Sequence, residues 1–66
     1  MTNFKTEILD GTTFYSTENA RGNVTTVWSW GENETYVQVN SSPAKFLGDI
    51  KKPSKEVKNL IAIMEA

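Results

Sequence analysis

Six glutamates and two aspartates are the side-chain carboxylates of this 66-residue chain, and histidine and cysteine are both absent. That absence removes the serine triad, thiol catalysis and the usual zinc ligand sets. A glycosidase-like pair would need two carboxyl groups held across one bond. Glu32 and Glu34 flank Asn33 at what reads as a hairpin tip, where both would be solvated. Asp10 precedes Gly11 and belongs to a turn. The four glycines, Gly11, Gly22, Gly31 and Gly48, are scattered and build no phosphate-cradling loop. The chain reads as a non-enzyme with no cofactor and no metal. Asn23-Val-Thr, Asn33-Glu-Thr and Asn40-Ser-Ser match glycosylation sequons, which we attribute to an Asn/Ser/Thr-rich composition.

The chemistry left is aromatic and cationic. Residues 24–40, VTTVWSWGENETYVQVN, read as a β-hairpin that carries both tryptophans at one turn. Pairing the arms about Glu32-Asn33 sets Trp30 opposite Thr35, Trp28 opposite Val37 and Thr26 opposite Val39. Alternation then puts these six side chains on one face and Ser29, Tyr36, Gln38 and Asn40 on the other. Trp28, deeper in the hairpin, reads as core beneath a helix, with Val37 and Val39. Trp30, beside Gly31, is open to two readings: a core residue, or a half-covered ring on which bases stack. Tyr36, on the other face, is a second stacking candidate. Phe14 and Tyr15 are adjacent and point to opposite faces, so one of them is core.

Charge is split along the chain. Residues 1–40 hold two cations, Lys5 and Arg21, against five carboxylates; residues 41–66 hold five lysines against three carboxylates. Lys45, Lys51 and Lys52 could face a polyanion, or could simply be a solvated lysine face. The overall acidic balance, with a pI of about 5.2, weighs against strong nucleic-acid binding.

These residues need elements to hold them. Residues 3–9 and 12–17 read as two strands joined by Asp10-Gly11, a type I′ turn signal, with Ile8 opposite Thr13 and Phe4 opposite Thr17. Residues 18–23 read as a loop, and 24–30 and 35–40 as the tryptophan hairpin. Residues 43–53 read as one helical turn ending at Gly48, or as a short basic edge strand over 45–51. Ser54 is an N-cap, and Val57, Leu60, Ile61 and Met64 form one stripe of an amphipathic helix over 54–65. The layout is α+β: a four-stranded antiparallel meander, with room for one more short strand, followed by one C-terminal helix. A chain of this size buries only about 60% of its unfolded surface. With no disulfide or zinc staple, we expect a homodimer, with Leu60, Ile63 and Met64 on its helix face. No stretch has the length of a signal peptide or a membrane span, so the reading is a cytoplasmic protein, or one of the host cytoplasm if the source is viral.

Three stretches together resemble the positive cofactor four family of small single-stranded-DNA-binding transcriptional coactivators, which has bacterial and viral relatives. They are STENARG (16–22), VWSWGENETYVQ (27–38) and PAKFLGDIKKPSKEVKNL (43–60). The resemblance covers most of the chain and rests on the order of short motifs. It implies a curved antiparallel sheet, one C-terminal helix and a dimer. It implies base stacking on Trp30, the aromatic before the turn, and phosphate contacts from Lys51, Lys52 and the loop residue Arg21. The chain departs from the family at Val39, Asn40 and Ser41, where an arginine and a tryptophan are usual. It departs again at Gly48-Asp49, where the family carries two glycines. The resemblance therefore leaves one stacking partner and one phosphate contact unmatched, and implies weaker binding than is usual in the family.

The resulting expectation is a homodimer that binds single-stranded DNA with little sequence preference, in transcription, replication or recombination, alongside proteins of those processes. Its nucleic-acid-binding residues would be Trp30, Trp28, Tyr36, Arg21, Lys45, Lys51 and Lys52. The alternative is a small inhibitor or adaptor that binds a protein through the same sheet.

Overall fold

A computed structural model describes residues 4–31 and 34–66. The chain is an α+β unit in which five strands form one antiparallel meander, β1 (Lys5–Leu9), β2 (Thr12–Glu18), β3 (Val24–Ser29), β4 (Thr35–Val39) and β5 (Lys45–Phe46), in spatial order β1-β2-β3-β4-β5. A 3-10 turn (Leu47–Asp49) follows β5, and helix α1 (Lys55–Glu65) closes the chain. Among the described residues no helix is long and apolar enough to cross a membrane.

The first hairpin forms as its sequence dictates. Asp10 and Gly11 both take positive φ, 50° and 80°, as a type I′ turn requires. Ile8 pairs with Thr13, the expected register. In the β2–β3 turn the Asn19 carboxamide oxygen accepts from the Arg21 and Asn23 amides at 2.9 and 3.0 Å, beside backbone bonds from the Gly22 amide to the Asn19 carbonyl and from the Asn19 amide to the Asn23 carbonyl. Asn40, at φ 54°, ties the far end of β4 back to β3 through its own amide and side chain.

The second hairpin differs from the expected pairing by one residue. Val27 lies opposite Val37, Trp28 opposite Tyr36 and Ser29 opposite Thr35. The Trp30 amide donates to the Glu34 carbonyl at 3.1 Å, so three residues separate the last bonded pair instead of two. The expected turn centre, Glu32-Asn33, and the Asn33 sequon lie outside the described residues. Side chains alternate with a period of two, so this one-residue shift moves the whole of β4 to the other face. Val37 and Val39 leave the tryptophan face, and Tyr36 and Gln38 join it.

Helix α1 covers the opposite face. Ser54 is its N-cap, accepting from the Val57 amide at 3.4 Å. Val57 and Leu60 from the helix and Val27 and Val37 from the sheet make the buried cluster. Tyr15, Leu47, Ile50, Ile61 and Met64 pack around it. Tyr15 is thus the core member of the Phe14-Tyr15 pair. Leu60 is fully buried within its own chain and has no surface to give a partner. Of the helix face expected at a dimer, Leu60, Ile63 and Met64, Leu60 thus belongs to the core and Met64 packs against it.

The ambiguous segment 43–53 divides its two readings. Lys45 and Phe46 bond β4 as a two-residue strand, and the chain then turns through the 3-10 segment to Ile50. It reaches neither the full strand over 45–51 nor a longer helix.

Candidate nucleic-acid interface

One row of the sheet is aromatic from β2 to β5. Phe14 pairs with Trp28, Trp28 with Tyr36 and Tyr36 with Phe46. Directly opposed residues share a face, so these four rings form a ladder across four neighbouring strands. Ring centroids lie 5.1 Å apart for Phe14–Trp28, 6.1 Å for Trp28–Tyr36 and 5.6 Å for Tyr36–Phe46. Trp28 and Tyr36 are nearly parallel, with 19° between planes. Trp30 stands just beyond the row, 4.8 Å from Tyr36 and 6.1 Å from Trp28. All these separations suit attractive aromatic packing.

The five rings have unequal access. Trp28 is 6% exposed although no helix covers its face, because its aromatic neighbours enclose it. Its indole Nε1 is buried with no hydrogen-bond partner among the described residues, a deficit worth about 1–3 kcal/mol. Trp28 therefore supports the surface and does not itself present a stacking plane. Trp30, at 60% exposed, and Phe46 are the open rings; Tyr36 and Phe14 are half-buried. Trp30 is positioned by the hairpin closure, where Ser29 Oγ donates to the Gly31 carbonyl at 2.7 Å. Phe46 is positioned by Gly48. A Cβ built on Gly48 would sit 2.6 Å from the Phe46 ring, so the ring occupies the space that any larger residue would need.

The sequence-predicted residues separate into two groups. Trp28, Trp30 and Tyr36 come together, with Tyr36 on the tryptophan face and not across from it. The cations do not join them. Lys45 pairs with Val37 and so belongs to the helix face. Lys51 and Lys52 are exposed between the 3-10 turn and α1, past the β5 edge. Arg21 is exposed in the β2–β3 turn, at the other end of the six-residue β3, about 20 Å along the strand from Trp30. By alternation the open face carries Lys5, Glu7 and Glu18.

Phe14 and Phe46 are ring members that the sequence reasoning missed. The Phe14 signal is its register with Trp28, which needs the β2–β3 turn length. Phe46 lies in a two-residue strand that has no period to read.

The arrangement is an open aromatic surface of mostly tilted rings with few charges on its face. Its exposed rings can stack planar ligands. Searches of protein-family models, of curated proteins and of solved structures found no match for this chain.

Proposed function

We propose that the chain is a single-stranded-DNA-binding module that stacks bases on the open face of its sheet. The observation that carries this reading is the aromatic row Phe14–Trp28–Tyr36–Phe46, with Trp30 exposed beside it. Each base stacked on a ring contributes about 1–3 kcal/mol, with little regard to base identity. Trp30, Tyr36 and Phe46 are the stacking rings, and Trp28 is the buried layer beneath them. Lys51 and Lys52 follow Phe46 by five and six residues, past the 3-10 turn, and are the cations a backbone leaving the platform over β5 would meet. Lys45 and Arg21 play a smaller part: Lys45 pairs with Val37 on the helix face, and Arg21 lies about 20 Å along β3 from Trp30. Such a module fits transcription, replication or recombination, in the manner of the positive cofactor four family.

Few cations near the platform mean few neutralised phosphates. The two lysines Lys51 and Lys52 predict a slope of log affinity on log salt of about −1.4 on a single strand. Anisotropy of a labelled single-stranded oligonucleotide, with duplex of the same sequence as competitor, tests the reading. Paired bases hide their faces, so the duplex should compete poorly. Equal competition by duplex, or no binding at low salt, would overturn it.

The mixed charge of the open face, Lys5 against Glu7 and Glu18, favours a second reading: a protein partner bound by the same rings. Such binding would be nearly independent of salt.

A further inference from the structure

Strand β1 is a free edge of unusual character. All five of its residues are exposed, with Ile8 at 70% and Leu9 at 56%, and Phe4 just before it is also exposed. Sheets usually protect such an edge, because its unpaired amides and carbonyls invite another strand. Among the described residues this strand has no proline, no bulge and no covering element, and its two charges, Lys5 and Glu7, are of opposite sign.

The first hairpin fixes which groups face outward. A two-residue type I′ turn joins residues that exchange hydrogen bonds, here Leu9 and Thr12. Alternation then directs the amides and carbonyls of Lys5, Glu7 and Leu9 toward β2. Those of Thr6 and Ile8 point to the open edge.

A second copy can pair antiparallel with this edge only in registers that oppose like-directed residues, so the two-fold axis must pass through a residue. An axis at Lys5 sets lysine against lysine, and an axis at Glu7 sets glutamate against glutamate. An axis at Ile8 leaves Glu7 facing Leu9. An axis at Thr6 sets Lys5 opposite Glu7 twice, once on each side, with Thr6 facing Thr6 and Phe4 facing Ile8. In that register Lys5 and Glu7 form the closely spaced, non-hydrogen-bonded pairs, where cross-strand side chains are nearest. It also covers exposed apolar surface on the other face.

We propose that two copies of this chain join through β1, with the two-fold axis at Thr6, into one continuous ten-stranded sheet. The axis stands perpendicular to the sheet, so both helices lie on one side and both aromatic rows on the other. This dimer rests on the edge alone and stands whether or not the open face binds DNA.

Sedimentation equilibrium of the wild-type chain, Lys5→Glu, Glu7→Lys and the double charge swap, without nucleic acid, tests it. Both side chains are exposed, so circular dichroism should report an unchanged fold. The wild type should dimerise, each single reversal should weaken the dimer about tenfold, and the double swap should restore it. A monomeric wild type, a dimer indifferent to the reversals, or a double swap as weak as the singles would overturn the proposal.

Discussion

The two faces of this sheet are built from the same strands and differ in almost every physical respect. The helix-covered face is aliphatic at its centre and closed: Val27, Val37, Val57 and Leu60 are all at or below 3% exposure. The other face is aromatic and, among the described residues, has no covering layer, yet one of its rings, Trp28, is nearly as buried. A core usually needs a second layer of secondary structure. Here large rings enclose one another on a bare sheet and leave their outermost members in solvent. The covered face holds the fold together. The open face has surplus aromatic surface that folding does not need.

The contrast breaks most severely at its two buried centres. Trp28→Ala removes the ring that three others lean on, and should destabilise by about 3–5 kcal/mol. Leu60→Ala leaves a cavity in the aliphatic core, worth about 2–5 kcal/mol. A chain this short has little stability to lose, so thermal melts should show either variant largely unfolded. Survival of Trp28→Ala with a near-wild-type melting temperature would mean that the open face is not a second core.

Trp30→Ala should separate the faces. Its ring is mostly exposed, so the melt should move little, while single-stranded oligonucleotide binding should weaken by about 1–3 kcal/mol. Binding equal to the parent would remove Trp30 from the interface.

Gly48→Ala sharpens the comparison at the β5 edge. The new methyl needs the space of the Phe46 ring, so the ring must move. Oligonucleotide affinity should fall by less than in Trp30→Ala, with a stability change of about 1–3 kcal/mol, as for an overpacked site. An unchanged affinity would place Phe46 outside the bound path.

The smallest effect concerns charge. Lys51→Ala and Lys52→Ala should each flatten the salt slope by about 0.7, without touching stability. A slope that stays the same would show that the phosphates run elsewhere.

The elements were legible in the sequence where a period or a cap was present. Asp10-Gly11 fixed the first hairpin and its register, and Ser54 with the Val57–Met64 stripe fixed the helix. The tryptophan hairpin was legible as a hairpin but not in its register. Val27 and Trp28 are both apolar and both buried, so alternation gives no preference between them. The loop length alone decides, and Gly31-Glu32-Asn33 can be divided as two loop residues or three. That single residue determines whether Tyr36 stacks with the tryptophans or lies across the sheet from them. Strand β5 was illegible as a two-residue strand, and with it the role of Phe46. Leu60 was read as both core and dimer face because the stripe pattern is the same for each; only the packed sheet distinguishes them.

The central claim is that the open aromatic face binds single-stranded DNA. Its most direct test is intrinsic tryptophan fluorescence during titration with oligothymidylate at low and high salt, in parent and Trp30→Ala proteins. Saturating quenching at low salt, reversal on adding salt, and loss of most of the quench in Trp30→Ala are expected. An emission spectrum that stays unchanged at low salt would contradict the claim, and the aromatic face would then belong to a protein partner.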